Sequence, residues 1–515
     1  MRLKFLYSNL TSENTQIYKI PPFLKARPRT KIVCTLGPAT ATVEKIKRLI
    51  RSGMSVARLN LSHGSEKEHL SLIANCRLAA KELDVPIGIL ADLPGPKYRI
   101  GDFKQKAITV PTGNDFIFSS DFIDANIPTV NIWPDGFSRD IRKGAKILID
   151  DGSIEMRVIE IDGDNVRCKV TSGGLIKSNK SITSPGHTSR VDYFSPETIK
   201  AIEFVKSSDV DFVGLSYIRN SKDLIDVKKK LGSKVNEVRL VAKIEIREAV
   251  DNLKEILLNS DAVMVARGDL GVEIPFQKVP SVQKKIIDLA NRFGKPVITA
   301  TQMMDSMIQN PNPTRAEVTD VHNAVLDGTD ALMLSGETSI GKNPVKTVKA
   351  MAKIAKLSEK FLDKSIISNR RENNFRGGQG LGVDDAIAKS ACNLSNSVKA
   401  KAVLAFTESG STAARVSNFR PNAPIIALCS QPSTSINLSL HWGVIPIEVK
   451  SFNSAQHMFW EGSRIVVDTG IAKFGDFIVV VLGLPIGYPG NTNLLRVIKI
   501  PESERDGTQA KSTIS

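Results

Sequence analysis

Glu245 and Asp269 close two successive apolar runs, RLVAKIE (239–245) and DAVMVARGD (261–269). Carboxylates at the ends of neighbouring strands can converge on one point, where like charges repel unless a cation joins them. A hard divalent ion, Mg2+ or Mn2+, suits such a pair, because it takes oxygen ligands and keeps positions open for substrate. For either carboxylate alone, the competing reading is a structural ion pair with a nearby Arg or Lys. Lys243, two residues before Glu245, and Arg58, within SVARLN (55–60), bring positive charge to the same place. A lysine beside a metal can neutralise a phosphoryl group in transfer, and the planar fork of an arginine matches phosphate. A strand-end lysine can equally reach out to solvent. Gly268, in ARGDLG (266–271), stands at a strand-to-helix turn whose backbone N–H groups can hold a substrate carboxylate. Thr301, closing ITAT, could bond a substrate, join a proton relay or simply cap a helix. The segment HGSEKEHL (63–70) opens a helix through a capping box of Ser65 with Glu68, which leaves Ser62 and His63 in the preceding loop.

Residues so far apart in the chain need a frame that gathers them. Eight short apolar runs provide it: KIVCTL (31–36), SVARLN, PIGILAD (86–92), DFVGLSY (211–217), RLVAKIE, DAVMVARGD, KPVITAT (295–301) and DALMLSGE (330–337). Continuous runs of this length read as strands buried on both faces, as in parallel sheets. Helical patterns lie between most of them. Eight strand–helix units predict a (β/α)8 TIM barrel, whose chemistry sits at the C-terminal ends of the strands. Asn60, Asp92, Lys243, Glu245, Arg267, Asp269, Thr301 and Glu337 fall at those ends.

The barrel is expected over residues 29–99 and 188–360. Between them, residues 100–187 turn to short β-rich pieces such as AKILIDD (145–151), SIEMRVIEI (153–161) and NVRCKVTSGG (165–174). They read as a small β-barrel lid inserted in a barrel loop, where insertions are tolerated. The polar, Gly-rich SNRRENNFRGGQGLG (368–382) marks a linker, placed at 361–382. After it, AVLAF (402–406), PIIALC (424–429), GVIPIEV (443–449), FIVVVLG (477–483) and LRVIKI (495–500) alternate with helical segments, giving a C-terminal α/β domain over 383–500. Residues 1–28 form an N-terminal extension and 501–515 read as a disordered tail. In the C-terminal domain AVLAF runs into TESGST (407–412), and a helix is expected near Ala413. Thr407, Ser409, Gly410, Ser411 and Thr412 make a loop of hydroxyls and Gly ahead of that helix, which suits either an anion or an ordinary capping turn.

With 515 residues, 41% of them hydrophobic, the chain can build a large core and more than one domain. No apolar run approaches the roughly 20 residues that span a bilayer, so no membrane partner is expected. The basic N-terminus carries too short an apolar stretch for a secretory signal. Residues 1–28 hold a single acidic residue, a composition also compatible with a transit peptide. The formal charge of +16 suits polyanionic substrates as well as nucleic acid. Lys and Arg are dispersed, and aromatics at 6% offer little for base stacking, so no specific nucleic acid is expected. Five scattered cysteines without CxxC pairing fit buried thiols in a reducing cytoplasm.

Taken together, TKIVCTLGPAT (30–40), ARLNLSHG (57–64), GPK (95–97), VAKIE (241–245), VMVARGDLGVEIP (263–275), ITATQMMDSM (298–307), NPTRAE (312–317) and LDGTDALMLSGET (326–338) resemble pyruvate kinase. The resemblance covers about residues 29 to 500, insertion and C-terminal domain included. It implies transfer of a phosphoryl group from phosphoenolpyruvate to ADP, giving pyruvate and ATP, in a cytoplasmic homotetramer regulated through its C-terminal domain. By the same resemblance, Glu245 and Asp269 match the Mg2+ ligands, Lys243 the lysine at the transferring group, and Arg58 the phosphate-binding arginine. Gly268, Asp269 and Thr301 match substrate contacts, and Asn60, Ser62, His63, Arg99 and Lys180 match contacts to ADP or ATP.

Two departures from the family pattern carry expectations of their own. Potassium-dependent members show D-T-K-G-P-E where this chain has D-L-P-G-P-K (92–97). Leu93 lacks a hydroxyl for K+ and Lys97 brings an ammonium, so K+ is expected not to be required. Glu408 stands in the loop that resembles the effector phosphate site, and LPIGYPGNTN (484–493) holds no Arg or Lys. A monophosphate effector, such as AMP or a sugar monophosphate, is therefore favoured over fructose 1,6-bisphosphate. Two rival readings stay open on the residues alone. A metal-dependent lyase or aldolase working through a pyruvate enolate would share the carboxylates and Arg58 but not need the lid. A binding protein, for RNA among other ligands, would not need Lys243, Glu245 and Asp269 together.

Overall fold

All eight apolar runs become strands, and they close on one another. In the computed structural model, which describes residues 17–102, 107–119, 127–150, 152–187, 190–362, 382–452, 454–486 and 491–501, β1 (Lys31–Thr35), β2 (Met54–Asn60), β3 (Gly88–Leu93), β4 (Phe212–Leu215), β5 (Arg239–Ile244), β6 (Ala262–Ala266), β7 (Val297–Ala300) and β8 (Ala331–Leu334) form a closed parallel barrel in sequence order. Every residue of β3, β4, β6, β7 and β8 is buried, which is what a strand flanked by both a packed interior and a helix layer requires. Shortening one such side chain, as in Leu90→Ala, costs about 2–5 kcal/mol. Helix α1 (Glu66–Leu83) follows β2 and begins with the expected capping box: Ser65 N–H donates to Glu68 Oε2 at 2.7 Å, and Glu68 N–H to Ser65 Oγ at 3.4 Å. Helix α2 (Pro196–Ser207) precedes β4 and is capped by Ser195.

The chain divides into two units, residues 30–363 and residues 1–29 with 364–515. The lid belongs to the first. It is an eight-stranded sheet running from Tyr98–Ile100 to Ser181–Thr183, with a separate two-stranded ribbon of Ile108–Val110 and Gly174–Ile176. Its sheet therefore starts two residues ahead of the expected boundary at 100, and Tyr98 joins its apolar cluster. Strand Asn165–Ser172 alternates buried and exposed residues, so Val166, Cys168 and Val170 face that cluster. Phe116, Phe118, Phe137 and Tyr98 meet there edge to face, with centroids 5.1 to 5.9 Å apart.

The second unit is a five-stranded sheet built from β9 (Val403–Phe406), β10 (Ile425–Cys429), β11 (Val444–Glu448), β12 (Phe477–Leu482) and β13 (Leu494–Lys499), ordered 11-10-9-12-13 with only the β12–β13 pair antiparallel. Residues 17–29 are part of this unit. Tyr18 is buried in the cluster formed by Leu404, Ile426 and Val480, and Lys25 donates to the Thr469 carbonyl. Most of the expected linker (361–382) and tail (501–515) lies outside the described residues. All five cysteines are buried thiols, and no helix among the described residues is long and apolar enough to cross a membrane.

Candidate active site

Parallel pairing of β2 with β3 sets Asn60 opposite Asp92 and puts Arg58 within reach of the same carboxylate. Arg58 donates from Nε to Asp92 Oδ2 at 2.7 Å, pairs through Nη2 at 2.6 Å, and donates from Nη1 to Thr35 Oγ1 at 3.0 Å. Lys243, on β5, reaches Asp92 from the other side. Its Nζ lies 3.1 Å from Asp92 Oδ1 and 2.9 Å from Glu245 Oε1, and donates to Ser216 Oγ at 2.7 Å. Asp92 and Glu245 are each 1% exposed, so neither charge is screened by water and removal of either partner leaves a bare ion.

A second group lies toward the rim. Asp269 Oδ1 accepts from Tyr217 Oη at 2.5 Å and from Lys97 Nζ at 2.8 Å, and that ammonium lies 5.2 Å from the Tyr217 ring centre. Tyr217 N–H donates to Glu245 Oε2 at 2.7 Å, so one residue, itself at φ 56°, ties both carboxylates together. Glu245 Oε1 is buried against the Lys243 ammonium, 2.9 Å away. Two carboxylates tied together through one residue fit a hard divalent cation. Among the described residues no three His, Cys, Asp or Glu side chains are arranged to hold a metal ion by themselves.

Asp269 reaches this place by a different route from the one expected. Strand β6 stops at Ala266 and helix α3 (Arg267–Glu273) starts at once, so Asp269 sits in a first helical turn rather than on a strand end. The free N–H groups of such a turn favour a carboxylate. Thr301 follows β7 in the left-handed region at φ 68°, with Gln302 at 53°. Its strain is held by three bonds: Gly268 N–H donates to Thr301 Oγ1 at 2.7 Å, that hydroxyl donates to the Ala300 carbonyl at 2.7 Å, and Arg267 Nη2 donates to the Thr301 carbonyl at 2.7 Å. Arg267 also pairs with Asp320 at 2.6 Å, and Glu337 accepts from the N–H groups of Ser335 and Met304. These two strand-end charges buttress the mouth.

The electrostatics follow from this packing. Burial disfavours the Lys243 ammonium, but Asp92 and Glu245 outweigh it and raise its pKa. Burial likewise opposes the Asp92 charge, and Lys243 and Arg58 still bring its pKa below the ordinary range. Burial and the Asp269 charge raise Glu245, against the pull of Lys243. For Asp269 burial is overcome by Lys97 and Lys243, which hold it at about 2. Glu273 is pushed up to about 7 by burial, against the pull of Lys97 and with a push from Asp269.

Beside the mouth, loop, lid and α2 enclose a cleft of about 820 Å3, lined by Ser62, His63, Lys97 and Arg99. Asn60 stands at its edge, its Oδ1 accepting from Ser62 N–H at 3.2 Å. Arg99 lies on the lid strand and donates to the Asn179 carbonyl at 3.1 Å. Lys180 does not line this cleft; its Nζ pairs with Asp150 at 2.8 Å.

In the other unit, Thr407 Oγ1 accepts from Gly410 N–H at 2.9 Å, and Ser409 Oγ donates to Ser411 Oγ at 3.2 Å. Helix α4 starts at Ser411 and runs to Asn418, two residues ahead of the expected Ala413. Thr412 shares a 2.9 Å hydrogen bond with Thr492, and Arg415 is paired with Asp384 at 2.9 Å.

Sequence reasoning placed Asp92 at a strand end of the mouth without a specific task, and gave no role to Ser216, Tyr217 or Glu273. Asp92 also left a charge inside the apolar run GILADL, since a carboxylate there must meet a buried cation. Tyr217 and Glu273 left none, because their importance comes from neighbours far away in the chain.

Comparison with known proteins gives one result. The family model described as pyruvate kinase, barrel domain, matches residues 27–348, and that described as pyruvate kinase, alpha/beta domain, matches residues 385–498. A pyruvate kinase of Bacillus licheniformis is 41% identical over 472 residues, covering 91% of this chain and 80% of the relative. One from Staphylococcus aureus (strain MRSA252) is 40% identical over 485 residues, covering 93% and 82%.

Proposed function

This chain belongs to the pyruvate kinase family, and from that premise we propose that it transfers the phosphoryl group of phosphoenolpyruvate to ADP, with Mg2+ or Mn2+ held by Glu245 and Asp269. The observation that carries the reading is the buried chain of charge from Arg58 through Asp92 and Lys243 to Glu245, continued to Asp269 and Lys97 at the rim. Phosphoryl transfer asks a protein mainly for position and charge neutralisation. Arg58 presents its fork to the phosphate, and Lys243 supplies positive charge to the group in flight and to the enolate it leaves. Gly268 N–H and Thr301 Oγ1, bonded to each other at rest, turn to the substrate carboxylate. When bound, the divalent ion adds further positive charge to the phosphate and carboxylate oxygens. Asn60, Ser62, His63 and Arg99 hold the nucleotide in the cleft, with Lys180 delivered by movement of the lid, which excludes water.

Lys97 takes the place of a monovalent cation. Its ammonium is anchored on Asp269 at 2.8 Å and on the Tyr217 ring, and the Leu93 side chain offers no hydroxyl to K+. Activity is therefore independent of K+. The effector is a monophosphate held by Thr407, Ser409, Gly410, Ser411 and Thr412, because the adjacent Arg415 is committed to Asp384. The assembly is a cytoplasmic homotetramer, as the family resemblance implies.

Pyruvate formation from phosphoenolpyruvate and Mg2+, with and without ADP, in K+ and in Na+ at equal ionic strength, tests the reading. ADP-dependent turnover equal in both salts is expected. For Lys97→Glu, turnover in Na+ falls at least about tenfold and K+ restores it, a step of one charge–charge contact at the metal. A native enzyme active only in K+ removes the Lys97 argument and leaves the kinase.

A further inference from the structure

One buried histidine lies under the nucleotide cleft. His69, in the first turns of α1, is 8% exposed although Ser62 to Glu68 above it are all exposed; its ring stands beside the His63 backbone, but neither ring nitrogen makes a well-formed hydrogen bond. A buried polar group without a partner is costly and calls for a reason, since leucine would fill the same space without that cost. The ring packs edge-on against Phe204 of α2, with centroids 5.9 Å apart, and forms part of the cleft lining. Directly above lies Gly64, at φ 84°, close enough that a Cβ there would stand 3.5 Å from His69 Nε2. The loop is fastened at its ends, through Leu61 N–H to the Asp92 carbonyl at 3.0 Å and Ser65 N–H to Glu68 at 2.7 Å. Burial lowers the His69 pKa, with the His63 backbone and Glu68 pulling the other way, so at neutral pH the ring carries one donor and one acceptor.

We propose that His69 is a positioning residue: its ring nitrogens bond the backbone of the His63–Gly64 turn when a nucleoside diphosphate enters the cleft, and so fix the loop in its nucleotide-holding form. The inference rests on the reading of Asn60, Ser62 and His63 as nucleotide contacts. It explains why a histidine occupies a site that only packing would give to leucine, and why its ring stands beside the His63 backbone beneath an exposed turn.

Steady-state kinetics of the full-length enzyme with Mg2+ tests it, using His69→Leu, His69→Gln and, as a control on the loop, His63→Ala. For His69→Leu the KM for ADP rises about fivefold to tenfold, the loss of one net hydrogen bond, while the KM for phosphoenolpyruvate stays within twofold. His69→Gln, which keeps a donor and an acceptor, recovers most of the change. His69→Asn keeps an amide that falls short of the turn, and gives the same split between the two KM values should the Leu variant not fold. An unchanged ADP KM in the Leu and Asn variants, with His63→Ala raising it, overturns the role of His69 and spares the loop. An equal rise in both KM values marks His69 as packing and also overturns it. If His63→Ala leaves the ADP KM unchanged, the nucleotide reading of the loop fails and this inference falls with it.

Discussion

At the barrel mouth three cations, Arg58, Lys97 and Lys243, face three carboxylates, Asp92, Glu245 and Asp269. In the loop 407–412 hydroxyls and backbone N–H groups face one another, with no Arg or Lys among the six residues. Both places lie just past parallel strands, where an anion is easily held, yet they are suited to different tasks. Buried ion pairs cost desolvation when the chain folds, and in return hold strong fields fixed in space before any substrate arrives. Neutral donors cost little and bind weakly, which suits a signal that must also dissociate. On the proposed reading, the mouth changes a bond and the loop registers a concentration.

Removing a charge from the mouth gives the widest separation between the two places. Lys243→Met lowers kcat about a thousandfold, the scale seen on losing one donor at a developing charge, and thermal denaturation also shows lost stability because Asp92 and Glu245 are left buried and unmatched. If kcat changes less than tenfold, the mouth does not work through fixed charge. Asp269→Asn raises the Mg2+ concentration for half-activation at least about a hundredfold, given that partners outside the first coordination shell alone are worth 10–100-fold. Metal titration of activity reads this directly. In the loop, Thr407→Val leaves kcat without effector unchanged and weakens AMP or sugar-monophosphate binding about tenfold, the value of one or two hydrogen bonds. Calorimetry showing tight fructose 1,6-bisphosphate binding to the native protein would erase the contrast between mouth and loop.

The smallest effect sharpens the picture of the mouth. Glu273 has its pKa raised to about 7 from an ordinary 4.5, chiefly by burial. Between those values the folded protein binds more protons than the unfolded chain, so stability declines as pH rises from about 4.5 to about 7 and levels off above. Melting temperatures of the metal-free protein across that range should show a fall of a few degrees, and Glu273→Gln should flatten it. Asp269 runs the opposite way: held at about 2, it contributes stability that is lost only as pH falls below about 4.

The barrel was legible because strands buried on both faces must be continuously apolar, and all eight runs stand where the sequence puts them. The pairing of Glu245 and Asp269 was legible for the same reason, and Lys243 with it. The end of β6 was not. The segment ARGD offers too few residues for a helical period, so ARGDLG was read as a strand-to-helix turn while Asp269 was still placed at the strand end. Ser216 and Tyr217 were hidden because a strand end says nothing of which neighbour it will touch. Tyr217 serves two carboxylates only because β4 lies beside β5 and β6 follows. Lys180 was expected at the cleft and rests on Asp150 instead, a choice of rotamer and lid position that no sequence pattern encodes.

The placement of residues 17–29 has a consequence for how the protein is made. Tyr18 and Lys25 are synthesised before the barrel, but the strands and helix they pack against, from Ala402 to Val480, come after it. At ribosomal speeds of about 5–20 residues per second the leading segment waits on the order of tens of seconds, while the entire barrel emerges and can fold. The second unit is thus closed by a segment made before the barrel. Deletion of residues 17–29 would be felt at the far end of the sequence, as slow or incomplete maturation of that unit after the barrel has formed.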